Sequence, residues 1–366
     1  MNYELKFHMP AEIIFGRGCL LANMQKFGGY KKIFAVTSRS AGKRSGALDD
    51  LRKISEDIKA EFFVFDKVME NPTLSICHEG GRAASDFGAD LVVGVGGGSP
   101  MDAAKAVACF ASNREMAPET LFEGHKNPSL PIFAIPTTAG TGSEANDYAV
   151  LSLDGKDIKK TFTHADSYAK TAFLDPAYTF SLPYAATAST ALDALCHCVE
   201  SCLSAKSTAF SDSYARLGIK AVYPNLEKLA DPGYGISCEM REQLMFGALC
   251  GGIAINSTGT CFPHPMGYNL TFAENLPHGK ACAVFFGEFL EMHEEFMTSE
   301  IRESFGAPIK KVKETVKALA GYQNKFDDET LKFFVSKVKS AKNFQNSKKK
   351  ISEEEIFEIY KRCVGK

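Results

Sequence analysis

A parallel-sheet α/β domain followed by an all-α domain is the architecture that the sequence predicts. First, short β-branched and aromatic runs alternate with longer helical patterns from Lys31 to Pro136, as in βαβ units. Second, a glycine run sits where one of those strands gives way to a helix. Third, beyond Pro183 the patterns become long and helical with almost no strand-like run, which divides the chain into domains 1–183 and 184–366.

The N-terminal "YELKFHMPAEIIFG" reads as one or two extra strands, pairing within the domain or with a second copy of the chain. The alternation follows: "KIFAVTS" as strand, "ALDDLRKISEDIKA" as helix, "EFFVF" as strand and "TLSICHEGGRAASDFG" as helix. It continues with "LVVGV" as strand, "PMDAAKAVACFA" as helix and "PIFAIP" as strand. The turn-rich run "TTAGTGSEANDYAVLSLDGKDIKKTF" carries "LDGK" between alternating residues, a hairpin signal, and is placed over the ligand edge of the sheet. Near the C-terminus "S-E-E-E" ahead of an apolar run marks a helix start.

At 366 residues the chain exceeds one ordinary core and suits two. A net charge of -2 with 23% charged residues supplies no basic field for nucleic acid or an anionic membrane, so a small-molecule substrate is expected. The eleven cysteines are scattered without a CxxC pair, as in a reduced, cytoplasmic protein. No apolar run approaches the roughly 20 residues of a membrane span.

Gly96, Gly97, Gly98 and Ser99 let the backbone approach a phosphate, and the helix that follows favours negative charge at its start. A second loop of small donors, "PTTAGTGSE", follows one strand later, and two such loops at one sheet edge suit a dinucleotide. Asp193 and His197 stand four residues apart, on one face of a helix. His264 and His278 lie in "CFPHPMGYNLTFAENLPHG", each bracketed by proline or glycine. One carboxylate and three imidazoles suit Fe(II), Zn(II) or Mn(II). Spacing alone leaves open the alternative that these are separate hydrogen-bonded core or surface residues.

"GGGSPMDAAK", "PTTAGTGSE", "LDP", "ALDALCHCVE" and "HPMGYNLTFAENLPHG" resemble, in order and spacing, the iron-containing (group III) alcohol dehydrogenase family, over about Pro10 to Leu290. The resemblance implies an N-terminal Rossmann-like domain and an all-helical C-terminal domain, a dehydroquinate synthase-like architecture with NAD(P) and a metal meeting in a cleft. It implies Asp193, His197, His264 and His278 as metal ligands. It also implies a dinucleotide along Gly97, Gly98, Ser99 and Asp102, with Thr137, Thr138 and Thr141 on the nicotinamide side and Asn71, Lys159 and Tyr178 lining the cofactor. The implied reaction is reversible hydride transfer between nicotinamide and a small uncharged aldehyde or primary alcohol. The divalent metal, Fe2+ first and Zn2+ or Mn2+ otherwise, acts as Lewis acid. A homodimer or higher homo-oligomer is expected.

Two positions depart from the family pattern. Many members carry a further histidine where this chain has Tyr268, whose phenol, with an ordinary pKa of about 10, relays protons poorly near neutrality. Tyr268 either donates a hydrogen bond to the substrate oxygen or packs beside Phe262 and Phe272. NAD-preferring members often place an aspartate at the end of the "KIFAVTS" strand. Here Ser38, Arg39 and Ser40, with Lys43 and Arg44, accommodate a 2′-phosphate, so NADP is expected to be preferred to NAD. A glycerol-dehydrogenase-like zinc enzyme and a dehydroquinate-synthase-like lyase are the alternatives on this architecture. Cys196, Cys198 and Cys202 are expected to be apolar fillers of the helix; the alternative for Cys196, three residues from Asp193, is a place at the edge of the same face, where a thiolate would favour zinc.

Overall fold

The computed structural model describes residues 6–156, 158–231 and 233–366. Two compact units emerge: an α/β unit of residues 9–138 and 142–182, and a helical unit of residues 139–141 and Pro183–Lys366 with residues 6–8.

Among the described residues of the α/β unit, six strands form one parallel sheet. They are β1 (Glu12–Phe15), β2 (Lys32–Thr37), β3 (Glu61–Phe65), β4 (Leu91–Gly96), β5 (Ile132–Pro136) and, later in the chain, β8 (Thr171–Leu174). Their spatial order is β1-β8-β5-β4-β2-β3, with every neighbouring pair parallel. Two short intervening strands, β6 (Ala149–Ser152) and β7 (Lys159–Phe162), form the antiparallel hairpin that "LDGK" signals. Strands β4, β5 and β8 are buried along their whole length, and β4 and β5 accordingly read as apolar runs without alternation. Phe27, Phe133 and Phe173 pack ring against ring at 4.9 to 5.7 Å, each fully or almost fully buried.

The expected helices form as Ala47–Asp57, Leu74–Phe87 and Gly98–Ser112. A Cβ on Gly94 would stand 3.0 Å from the Ala104 Cβ, so the glycine lets the helix after the phosphate loop lie directly on β4. Strand β8 is absent from the expected alternation, because "TAFL" offers only four residues between Lys170 and Asp175. The N-terminal stretch yields one strand, β1, paired within the domain to β8; its first residues, 3–5, lie outside the described ones.

In the helical unit the Tyr184–Cys202 helix is buried continuously from Ala191 to Cys202. A Cβ on Gly218 would meet the Cys198 Sγ at 2.4 Å, so this thiol fills the groove left by a glycine of the Ala209–Leu229 helix. Cys196, Cys198 and Cys202 are all fully buried. Across the chain nine cysteines are buried, Cys363 is half-buried and Cys238 is exposed. A reciprocal capping box between Ser352 and Glu355 opens the last helix, Glu353–Val364, where the S-E-E-E signal places it. Among the described residues no single helix is long and apolar enough to cross a membrane.

Candidate active site

Strand β4 ends at Gly96 with φ 147°, a left-handed value that favours glycine, and the Gly98–Ser112 helix starts with no side chain capping its first turn. Its leading N–H groups are therefore donors for an anion, which fits a dinucleotide phosphate. The Thr138 Oγ1 lies 3.1 Å from where a Gly97 Cβ would stand, and the Thr137 N–H donates to the Gly96 carbonyl at 2.8 Å. These contacts bring the two small-residue loops together at the carboxyl edge of the sheet. Asn71, with φ 58°, donates its N–H to the Ser99 Oγ at 3.2 Å, and the Lys159 Nζ donates to the Asn71 Oδ1 at 2.8 Å. Asn71, Ser99 and Lys159, three of the residues assigned to the cofactor, thus form one linked group.

Asp102 and Tyr178 have their polar atoms engaged inside the unit. The Asp102 carboxylate accepts from the Ser143 Oγ at 2.6 Å and the Val150 N–H at 2.9 Å, tying helix to hairpin. The Tyr178 hydroxyl donates to Asp50 at 2.8 Å beside the aromatic core. Lys105, one turn beyond Asp102, donates to Ser143 and to the Tyr148 carbonyl. Burial pushes its ammonium down to about 8 against the pull of Asp102, Asp147 and Glu144. Ser38 pairs with Lys67 just past β2, and Ser40 precedes the short Ala41–Ser45 helix without capping it. Thr141 belongs with the helical unit, where Gly140 lies against Thr190.

In the helical unit Asp193 and His197 share the buried face of the Tyr184–Cys202 helix. His264 sits in the first turn of the Pro263–Glu274 helix, and His278 opens the His278–Val284 helix. The Asp193 Oδ1 is 3.8 Å from the His197 Nε2, 3.6 Å from the His264 Nε2 and 3.6 Å from the His278 Nε2. Two ligands of a tetrahedral ion held at about 2.0–2.2 Å stand roughly 3.3–3.6 Å apart, so these spacings fit a shared cation. The chemistry agrees: the Asp193 Oδ1 and His264 Nε2 are buried and make no hydrogen bond, an arrangement that costs stability unless a cation satisfies both. Burial alone would raise the Asp193 carboxyl, but His197, His278 and His264 overcome it and hold the group well below the usual carboxylate range.

Three further residues complete the site. Glu200, fully buried on the same helix, accepts from the His264 Nδ1 at 2.7 Å and from the Cys261 N–H at 2.6 Å. That bond turns the His264 Nε2 lone pair toward Asp193. Burial alone would lower His264, yet Glu200 and Asp193 hold it up at about 10, a preference for positive charge that a divalent ion satisfies equally. Gly279 permits the approach of His278: a Cβ there would stand 1.9 Å from the Ser189 carbonyl oxygen and 2.9 Å from the Asp193 Cβ. Cys282 joins Asp193, His264 and His278 in a quartet whose ligand atoms lie within 4.8 Å of one another. The thiol among the donors is thus Cys282, one turn beyond His278, while Cys196 is a fully buried filler of its helix. Burial drives the Cys196 thiol well above its ordinary range.

Tyr268 stacks on the His278 ring, with centroids 5.5 Å apart, while Phe262 packs against Phe289 and Phe344 in the core. Glu200 and Gly279 are not among the residues that the sequence motifs single out. The signal for Glu200 was its place three residues beyond His197; the signal for Gly279 was its position directly after a candidate ligand. Glu200→Gln keeps the shape but weakens the acceptor, and is expected to lower metal affinity about 10- to 100-fold. Metal retained after dialysis against graded chelator measures this.

A parallel sheet with a glycine phosphate loop, joined in one chain to a buried carboxylate and imidazole cluster, defines a metal-dependent dinucleotide oxidoreductase. A family model described as iron-containing alcohol dehydrogenase matches residues 10–176, and one for the C-terminal part of the Fe-containing alcohol dehydrogenase family matches residues 187–358. The chain belongs to the iron-containing alcohol dehydrogenase family. It is accordingly a metal-dependent, NAD(P)-linked oxidoreductase acting on alcohols and aldehydes. Alcohol dehydrogenase 4 of Saccharomyces cerevisiae is 32% identical over 327 residues, covering 87% of this chain and 85% of its own. Lactaldehyde reductase of Escherichia coli K12 is 29% identical over 294 residues, covering 79% of this chain and 76% of its own. Among solved structures, an iron-containing alcohol dehydrogenase from Thermotoga maritima superposes with a TM-score of 0.89 at 34% identity, covering 98% of this chain and 99% of its own.

Proposed function

We propose that this enzyme interconverts a small, uncharged aldehyde and its primary alcohol, prefers NADP(H) to NAD(H), and carries iron(II) on Asp193, His197, His264 and His278. The observation that carries the reading is the single Asp193 Oδ1 faced by three imidazole Nε2 atoms at 3.6 to 3.8 Å. When bound, the metal supplies a Lewis acid and the nicotinamide a hydride. The chain's residues do the rest. Asp193 holds negative charge in a buried site, and Glu200 fixes the tautomer of His264. Tyr268, stacked on His278, donates a hydrogen bond to the substrate oxygen. Gly97, Gly98 and Ser99 receive the pyrophosphate at an uncapped helix start. The absence of an arginine cluster beside these ligands in the sequence favours a substrate without phosphate or carboxylate. We further propose a cytoplasmic homodimer or larger homo-oligomer, in keeping with the reduced cysteine usage.

Zinc is the second reading, favoured by Cys282 in the donor quartet, since a thiolate selects zinc over iron. Both are tested by stripping the protein with chelator, restoring Fe2+, Zn2+ or Mn2+ in turn, and following NADPH oxidation with a panel of short aldehydes. Stripping is expected to abolish turnover and Fe2+ to restore most of it; full activity in the stripped protein refutes the Lewis-acid role. The nucleotide preference rests on Ser38, where a carboxylate would repel a 2′-phosphate. Ser38→Asp is expected to lower kcat/KM with NADPH about 10- to 100-fold, the equivalent of one charged hydrogen bond, and to leave NADH turnover nearly unchanged. Equal use of both cofactors by the unaltered enzyme rejects the preference.

A further inference from the structure

We propose a second metal site in the α/β unit, formed by His125, His164 and Asp166 and suited to a zinc-type divalent cation. None of the three belongs to the donor cluster of the helical unit. His125 lies in the loop after Pro118–Glu123; His164 and Asp166 follow β7, at the foot of the hairpin. One donor atom from each falls within 4.8 Å of the others. The His125 Nε2 is 3.3 Å from the Asp166 Oδ1, the separation of two tetrahedral ligands at about 2.05 Å. The His164 Nδ1 is 2.5 Å from the same oxygen, and the two imidazole centroids are 4.1 Å apart.

The protonation pattern leads to the same conclusion. The His125 Nδ1–H donates to the Asn127 carbonyl at 2.8 Å, which leaves the Nε2 lone pair facing Asp166. That carbonyl is itself held, because the Asn113 side chain donates to it and accepts from the Asn127 N–H, both at 2.9 Å. The His125 side chain is only 2% exposed, and its Nε2 is buried without a hydrogen bond. On the opposite side the His164 Nδ1–H donates to the Asp166 Oδ1 at 2.5 Å, closer than two ligands of one ion, so a bound cation takes the place of that proton and parts the two atoms. The Asp166 Oδ2 is taken by the Ser129 N–H at 2.7 Å, which orients Oδ1 inward. The buried His125 Nε2 lone pair faces that same carboxylate oxygen with no proton between them, a repulsion that a cation relieves. A backbone-anchored histidine and a backbone-anchored carboxylate are how proteins orient metal ligands. The set is two nitrogens and one oxygen, the borderline donors that zinc accepts, and the 42% exposed His164 leaves room for a water as fourth ligand. An ion here joins the hairpin that carries Lys159 to the loop preceding β5.

The test counts zinc. Chelator-stripped full-length protein is titrated with Zn2+ alone by calorimetry, and bound metal is confirmed by mass spectrometry. Two equivalents are expected per chain. His164→Ala, at an exposed position, should bind one, with affinity for the second reduced at least about 100-fold as expected for a lost ligand. His125→Asn, a second route to the same loss, should behave alike, and both variants should retain the alcohol dehydrogenase activity. One equivalent in the unaltered chain, or two in both variants, overturns the site.

Discussion

Asp193→Asn is expected to abolish stable metal binding and to cut kcat/KM by at least about 10³-fold, the several kcal/mol that a Lewis acid contributes. The amide matches the carboxylate in shape, so packing of the Tyr184–Cys202 helix is preserved. What changes is charge: three imidazole nitrogens would then face a neutral oxygen or an N–H, and a divalent cation would lose its only anionic ligand among them. The measurement pairs metal content after dialysis with turnover, while circular dichroism monitors the fold. A variant that keeps a full equivalent at the catalytic cluster and normal turnover removes Asp193 from the ligand set. Binding of the nucleotide, read by fluorescence, should survive, because the glycine loop lies in the α/β unit.

The second large effect concerns Gly279. Adding one methyl group, Gly279→Ala, places a carbon 1.9 Å from a main-chain oxygen of a neighbouring helix. The obstacle is backbone, so no side-chain rotation relieves it, and the His278–Val284 helix must move away from Ser189 and Asp193. Overpacking of this kind costs about 3 kcal/mol, or a fall in Tm of about 6–12 °C for a unit of this size. Because His278 is the preceding residue, the same displacement takes its Nε2 away from Asp193, and metal affinity should fall with stability. Differential scanning calorimetry with and without added metal separates the two losses. An unchanged Tm, or a metal affinity equal to that of the unaltered protein, contradicts the close approach.

Much of this was legible in the sequence because periodicity and local spacing encode it. Strands β2 to β5 carry apolar runs long enough to declare themselves, and the glycine loop falls at its strand-to-helix junction. Asp193 and His197 could be paired from helical geometry alone, whereas their convergence with His264 and His278 depended on family resemblance, since nothing local links residues so distant in sequence. Three features were not legible. Strand β8 is four residues long and acquires its identity from pairing with β1 and β5. Cys282 and Cys196 look alike in sequence, and only tertiary placement puts Cys282 among the donors. Glu200 had a visible carboxylate and suitable spacing, but its role arises from a hydrogen bond to a histidine on another helix.

The distribution of the thiols has a practical consequence. Burial withdraws nine of the eleven cysteines from solvent, and it pushes the half-buried Cys363 up to about 12. The exposed Cys238, at the start of the Cys238–Thr258 helix, is thereby left as the preferred target for an alkylating reagent in the folded state. A maleimide dye or spin label added near neutral pH should couple there first, giving the unaltered enzyme a built-in spectroscopic handle without any engineered cysteine.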